Sequence, residues 1–478
     1  MNEAIGEYYV DGRWVSPRSS VRKAVVNPAD EKNLGHIYLA TAEDVADAVK
    51  VAHGAFPEYS TTSKYERLKW LDNLLQLLED RREDMARAIS LEMGAPIQLA
   101  RHAQANSGIG HTQQFIKALR SQKDRDLLPN DDHLVHEPVG VCGLITPWNW
   151  PLNQITLKVI PALAAGCSCV LKPSEYTPLS ATLFASLIDQ AGFPKGVFNM
   201  IHGDGELAGR TLVQSPLVDM VSFTGSIQAG RQVYRDATET IKKVTLELGG
   251  KSPNIVFADC NLTDRVTMSV KNCFQNSGQS CNAPTRMLVE RRCLDQVLTI
   301  ATKVASDHCC GQPNQEGTHL GPLVNKNQYE RVQKSMQRAI DQGAKLLCGG
   351  PGRPDELDRG YFVKPTVFFC DNDEYDIVHE DVFGPVLVIC GFNTEDEAVE
   401  MANNSPYGLA AHIQTRSVER GERVAARLRV GAIHINGGEL QYGSPYGGYK
   451  QSGNGREGGI HGLNEFQELK TIHYAEVA

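Results

Sequence analysis

Three short segments of the 478-residue chain set a reactive or polar side chain among glycines, prolines or aromatics. Gly278-Gln279-Ser280-Cys281-Asn282-Ala283 places a thiol between small polar residues, which suits an accessible nucleophile; a small buried thiol fits the same residues. Leu246-Glu247-Leu248-Gly249-Gly250 interrupts an apolar run with an acid just before two glycines. Partly buried at a strand end, that carboxyl would have its pKa raised toward the range of a general base. A solvated strand-end glutamate is the alternative. Pro147-Trp148-Asn149-Trp150-Pro151 holds one side-chain amide between prolines and two of the four tryptophans. A rigid amide can stabilise an oxyanion, and it can equally cap the helix that follows.

The rest of the chain must position these groups for a small molecule. Lys and Arg number 48 against 57 Asp and Glu, a net charge of −9, so no basic excess marks a binder of nucleic acid or anionic membrane. At 41% hydrophobic and 22% charged, the composition is that of a folded protein. The 12 cysteines form no Cys-x-x-Cys pair and no zinc-type spacing, and Met1-Asn2-Glu3 does not open a signal peptide, which together predict a reducing, cytoplasmic setting. His133, His136, Cys309 and Cys310 have no partner motif, and no metal is expected. The uncharged run Pro138–Leu157 has the length of a membrane span, but Pro147, Asn149, Pro151, Asn153 and Gln154 argue against lipid. It is read as a buried strand leading into a loop.

Periodicity supplies the elements. Thr41 and Asp44 in capping-box spacing open a helix that places Val45, Val49, Ala52 and Phe56 on one face. A longer helix is predicted from about Lys64 to Met93, stopped by Gly94 and Pro96. Apolar runs at Val139–Ile145, Ser168–Leu171, Val197–Ile201, Met220–Phe223 and Val244–Leu248 lie one helix apart, the signature of a parallel sheet with crossover helices. A second set at Asn254–Phe257, Arg286–Val289, Val386–Ile389 and Ala432–Ile435, with a helical stretch at Glu395–Asn403, predicts a second α/β domain.

Taken together with Lys172-Pro173-Ser174-Glu175, Phe223-Thr224-Gly225-Ser226, Glu380-Asp381-Val382-Phe383-Gly384-Pro385 and Gly447-Gly448-Tyr449-Lys450-Gln451-Ser452-Gly453, the three segments resemble the aldehyde dehydrogenase superfamily, in its motif order, over roughly residues 20 to 470. The resemblance implies Cys281 as nucleophile, Glu247 as general base and Asn149 as oxyanion donor, with a thioester hydrolysed by water. It also implies a Rossmann-type cofactor domain formed by residues 1–120 and 138–248, and a catalytic domain over 249–460. An oligomerisation arm from 121–137 and 461–478 completes the α/β fold and implies a homodimer or homotetramer.

For NAD, with NADP as the weaker alternative, the resemblance implies Ile145, Thr146, Pro147, Trp148, Lys172, Ser174, Glu175, Phe223, Gly225, Ser226, Gly230 and Leu248. Gly203-x-Gly205 with Gly209 only approximates the usual glycine-rich turn, and Gly205 and Gly209 are carried as candidates. Asp381 stands where the family has glutamate, which puts its ribose contact in doubt; Phe383 follows it. The aldehyde pocket is expected to include Trp150, Asn153, Leu157, Gln275, Ser280, Asn282, Leu440 and Tyr442. The stretch Trp150–Ile155 looks most like bacterial members acting on longer oxo-acids and on succinoyl-semialdehyde-pyridine. An acylating dehydrogenase, a Cys/His acyl hydrolase and a non-enzymatic scaffold stay open. The acylating branch generally lacks a base at the place of Glu247.

Overall fold

The computed structural model describes residues 5–317 and 319–474, so the outermost ends of the segments expected at 1–120 and 461–478 lie outside the described residues. The first set of apolar runs becomes the parallel strands Val141–Ile145, Ser168–Lys172, Phe198–Met200, Met220–Thr224 and Lys243–Glu247 of an eight-stranded sheet. Val141–Ile145 lies between Ser168–Lys172 and Met220–Thr224. The chain therefore builds outward from it on one side, through Phe198–Met200, and then returns to its other side. That reversal leaves a crevice at the carboxyl ends of the strands, where ligands bind to open α/β sheets. An antiparallel hairpin, Tyr8–Val10 with Arg13–Val15, extends the far edge.

The second set forms a seven-stranded sheet in which Thr366–Cys370, Val386–Phe392, Arg286–Glu290, Pro253–Val256, Ala410–Gln414 and Ala432–Ile435 run parallel, with Lys345–Cys348 antiparallel at one edge. Helices such as Glu395–Asn403 cover it. The arm is a three-stranded antiparallel sheet of Gln467–Ile472, His133–Pro138 and Arg125–Leu127.

Four expectations are corrected. The helix expected over Lys64–Met93 is two, Lys64–Asp80 and Arg82–Met93, because Arg81 leaves helical geometry at φ −101° and ψ 17°. The helix capped by Thr41 runs on to Ser60, carrying Pro57 in its last turn. The second half of Pro138–Leu157 is not loop throughout: Pro151 starts a helix that runs to Ala165. Proline is tolerated there because the first helical N–H has no partner within the helix anyway. Finally, the chain crosses back before residue 460. Gly453–Asn454 pairs antiparallel with Leu246 and Glu247, and the helix Gly459–Glu465 packs on the helix Ala105–Ser121. Gly453 and Asn454 thus pair with the first sheet, although they fall inside the span 249–460 expected for the second domain.

Candidate active site

Glu247 is the last residue of its strand, and its carbonyl accepts the Gly225 N–H at 3.0 Å. The two glycines after it leave space that other segments fill. A Cβ on Gly250 would stand 2.6 Å from the Cys281 carbonyl oxygen, and one on Gly249 would stand 2.6 Å from Asp381 Oδ2. The Cys281 loop and Asp381 therefore close directly onto the segment that carries Glu247.

The loop before Cys281 is held in a costly shape. Asn276 and Ser277 have φ of 55° and 56°, a left-handed conformation that costs of order 1–3 kcal/mol per non-glycine residue. Side-chain hydrogen bonds over-determine it. Asn276 Nδ2 donates to the Asn149 carbonyl at 2.9 Å, Gln104 Nε2 donates to Asn276 Oδ1 at 2.9 Å, and Gln279 Oε1 accepts the Val324 N–H at 3.0 Å. Asn149 is buried, and its Nδ2 donates to the Gln279 carbonyl at 3.1 Å, which ties the amide to a point two residues before Cys281. An amide nitrogen carries two donors, so one remains for a ligand. Trp150 Nε1 donates to Ser280 Oγ at 2.8 Å and adds a second tie to the same loop.

Both carboxylate oxygens of Glu247 are buried with no hydrogen-bond partner. Burial pushes this acid well above the usual carboxylate range; the charge of Glu457 adds to the shift, against Lys158 and Arg456. Lys158 Nζ reaches Glu457 Oε1 at 2.5 Å in a buried pair. Burial likewise pushes the Cys281 thiol up to about 12, opposed by a contact with the Tyr446 hydroxyl 3.1 Å from the sulfur. A thiol, an unpartnered buried carboxyl and a fixed amide thus meet in one place. Such a set can add a sulfur to a carbonyl, hold the oxyanion and accept a proton from water.

The residues that the family resemblance implies for a dinucleotide gather around the strand ends. Ser226 Oγ accepts the Ala229 N–H at 3.2 Å and opens the helix Ile227–Ala237, whose first N–H groups favour an anion. Beside it, the buried Thr224 Oγ1 has no partner. Gly225 packs under the Phe223 ring, and Gly230 admits Leu248, whose Cδ2 would lie 2.6 Å from a Cβ there. Ile145 and Thr146 are buried at the end of the central strand, and Ser174 Oγ accepts the Tyr176 N–H at 3.3 Å. Lys172 Nζ donates to the carbonyls of Gly203 and Pro173 at 2.8 and 3.0 Å. Glu175 lies 3.9 Å from Lys172 and 3.1 Å from Lys23. Gly205 and Gly209 bound a single helical turn after the N-cap Asp204; Gly209 faces the Lys172 stem, while a Cβ on Gly205 would meet open space. Across the cleft Trp148, which follows Pro147, meets Phe383 edge-on at 5.5 Å between ring centroids. Asp381 is raised to about 6 by burial, against Lys251 and Arg331.

The aldehyde dehydrogenase family matches the chain over residues 14–472. A 3-succinoylsemialdehyde-pyridine dehydrogenase from a Pseudomonas species is 48% identical over 98% of each chain. The chain belongs to the aldehyde dehydrogenase family. An aldehyde dehydrogenase from Bartonella henselae superposes with a TM-score of 0.97 at 46% identity, covering 98% of this chain and 99% of that one. A Cys-to-Ala mutant of aldehyde dehydrogenase C from Pseudomonas syringae, crystallised with NAD+ and octanal, gives a TM-score of 0.97 at 45% identity over 98% and 96% of the two chains. The NAD expectation agrees with that complex. The resemblance carried by the motifs is the correct one, and the enzyme class is an oxidoreductase acting on aldehydes.

The candidate aldehyde residues of this dehydrogenase divide in two. Trp150 and Ser280 meet beside Cys281, which Asn282 follows. Tyr442 folds against the helix Ala105–Ser121, its ring 5.1 Å from His111, while Asn153 lies within reach of the same histidine. Leu157 is packed into the hydrophobic core, Gln275 is exposed at the end of the helix Leu262–Phe274, and Leu440 is exposed in a loop. No contact ties those three to the sulfur. The sequence reading missed Tyr446, Lys158, Glu457, Gln104, Asn276, His111 and Lys23. Tyr446 adjoins the quoted motif at Gly447, and Lys158 stands out as a cation in an apolar helix; the meaning of the others lies in partners elsewhere along the chain. Among the described residues, no helix is long and apolar enough to cross a membrane and no group of three or more His, Cys, Asp or Glu is placed to hold a metal.

Proposed function

We propose that this dehydrogenase oxidises an aldehyde to the carboxylic acid with NAD, through a thiohemiacetal and a thioester on Cys281. The meeting of Cys281, Glu247 and Asn149 at the strand ends carries this reading. The thiolate of Cys281 adds to the carbonyl carbon, and the carbonyl oxygen becomes an oxyanion held by Asn149 Nδ2 and the Cys281 backbone N–H. Bound NAD supplies the acceptor for the hydride. Glu247 then takes a proton from water, the water oxygen attacks the thioester carbon, the C–S bond breaks, and its electron pair returns to Cys281. The buried, unpartnered carboxyl of Glu247 favours water as acyl acceptor over an acylating route.

The substrate is a longer-chain or aromatic semialdehyde. Trp150 and the Tyr442–His111 pair supply aromatic walls, and the Pseudomonas relative named for 3-succinoylsemialdehyde-pyridine and the octanal-bound P. syringae enzyme support an extended tunnel. Cys281→Ala should abolish aldehyde oxidation while NAD still binds. Retention of more than a few per cent of activity would overturn the assignment of the nucleophile. A panel of aliphatic, aromatic and carboxylated aldehydes tests the substrate class, and a uniform kcat/KM across it would refute the extended-tunnel reading.

A further inference from the structure

Tyr446 occupies a place that the reaction scheme leaves unused. Its hydroxyl is 3.1 Å from Cys281 Sγ, inside the hydrogen-bond range for sulfur. Its backbone is fixed on both sides: the Tyr446 N–H donates to the Glu457 carbonyl at 2.8 Å, and the Glu457 N–H donates back to the Tyr446 carbonyl at 2.7 Å. The same Glu457 side chain anchors Lys158. One closed bridge therefore sets both the phenol over the sulfur and the carboxylate that bears on Glu247. Tyr446 can approach because Gly447, next in the chain, has no side chain; a Cβ there would stand 2.6 Å from Glu247 Oε1.

The groups facing the sulfur are otherwise adverse to its ionisation. Burial opposes the thiolate, and the carboxyls of Glu247, Asp381 and Glu457, from three different segments, oppose it further. No lysine, arginine or histidine within hydrogen-bond reach of the sulfur offsets them among the described residues. A neutral donor is what such a place can use, since it stabilises a thiolate without adding a cation beside Glu247.

We propose that the Tyr446 hydroxyl is a catalytic hydrogen-bond donor to the Cys281 thiolate, which it stabilises and aims before the aldehyde arrives. In this step the S–H bond breaks, its electron pair stays on sulfur, the proton leaves to a base, and the phenol keeps its own proton while turning it to sulfur. Glu247 is the buried carboxyl that faces the thiol and can take that proton, which it passes to solvent before it acts as base to the hydrolytic water. The phenol must stay protonated to donate; burial and the neighbouring Cys281, Glu247 and Glu457 all push its pKa up and so keep it protonated. The proposal rests on Cys281 being the nucleophile.

Tyr446→Phe removes one oxygen and keeps the ring. The thiolate fraction of Cys281, read from ultraviolet absorbance as the difference between each enzyme and the same enzyme carrying Cys281→Ala, should need a pH about one unit higher in the Phe variant. At a fixed pH below that midpoint, iodoacetamide should label Cys281 about tenfold more slowly, one decade per pH unit. Aldehyde kcat/KM should fall alike and recover at higher pH. A role in packing alone would lower kcat/KM or thermal stability with no movement of the thiolate midpoint, and an unchanged or lowered midpoint overturns the proposal. Tyr446→Leu, which also lacks the hydroxyl, gives the same reading if the Phe variant does not fold. Activity surviving Cys281→Ala would instead overturn the nucleophile assignment, and the titration separates that failure from this one.

Discussion

Replacing Lys23 by alanine should sharpen the preference for NAD over NADP. The family resemblance implies Glu175 as the acceptor for a free ribose 2′-hydroxyl, and a 2′-phosphate there would meet like charge. Two unit charges about 4 Å apart at an effective dielectric of about 20 repel by roughly 4 kcal/mol. Two lysines oppose that repulsion unequally. Lys172 is 3.9 Å from Glu175, but it is buried, committed to the carbonyls of Gly203 and Pro173, and lowered in pKa by burial. Lys23 is 3.1 Å from Glu175, 4.4 Å above the Tyr176 ring, and 29% exposed, so unlike Lys172 it is partly open to solvent and makes no backbone contact among the described residues that commits it elsewhere. Its exposure lets water and salt screen it, which cuts its worth to about 1 kcal/mol, or roughly five- to tenfold in a rate ratio. With both lysines present, wild-type enzyme should favour NAD by about tenfold or more without excluding NADP. Lys23→Ala should lower kcat/KM for NADP by about five- to tenfold and change that for NAD less, with a larger gap between the two at low salt. Glu175→Ser should move the ratio the other way. Steady-state kinetics with both cofactors at one saturating aldehyde gives the answer; an unchanged ratio in Lys23→Ala would refute the electrostatic reasoning, and a wild type preferring NADP would refute the role of Glu175.

Glu247→Gln should hydrolyse the thioester slowly, because the amide keeps the shape and loses the base, after a burst of at most about one NADH per active site that is itself slowed by the loss of thiol activation; wild-type steady-state hydrolysis in the variant would exclude Glu247 as base. The base works as carboxylate, so activity should rise with pH through its raised pKa, and Lys158→Met, which removes the cation favouring that carboxylate, should move the acidic limb of the pH–rate profile to higher pH. The same variant strands the buried Glu457 and should cost roughly 3–5 kcal/mol of stability by denaturant titration, most of it recovered in Lys158→Met/Glu457→Gln; equal stability of the two would show that the pair is not closed in solution. The three-stranded arm, with the exposed Leu127 and Leu469, is expected to pair with another subunit, and light scattering of a 52.5 kDa monomer at micromolar concentration would contradict the dimer or tetramer.

Much of this fold is legible locally because most strands buried on both faces are near-continuous apolar runs. Val141–Ile145 and Met220–Thr224 read that way, and the helix-length gaps between runs leave only a parallel sheet. Legibility fails where the deciding partner is distant. Ala410–Gln414 holds a histidine and a glutamine and reads as no strand, yet it is fully buried between Pro253–Val256 and Ala432–Ile435, where Gln414 Nε2 bonds Asn254 Oδ1 at 3.0 Å. The apolar period of Leu68, Leu71, Leu75 and Leu78 resumes beyond Arg81 at Met85 and Ile89, and periodicity alone does not register a single non-helical residue.

The site divides along the same line. Cys281, Glu247 and Asn149 were visible because each breaks a local rule: a thiol among small polar residues, an acid in an apolar run, an amide between prolines. Lys158 breaks a rule too, as a cation inside an apolar helix, but its meaning lies 299 residues away in Glu457. Tyr446 breaks none, since a tyrosine between proline and glycine is an ordinary loop residue until Cys281 is found beneath its hydroxyl. Groups that perform bond chemistry must be exposed to substrate and so disturb their own neighbourhood in sequence. Groups that tune them act through one contact made by the fold, and only the fold can reveal them.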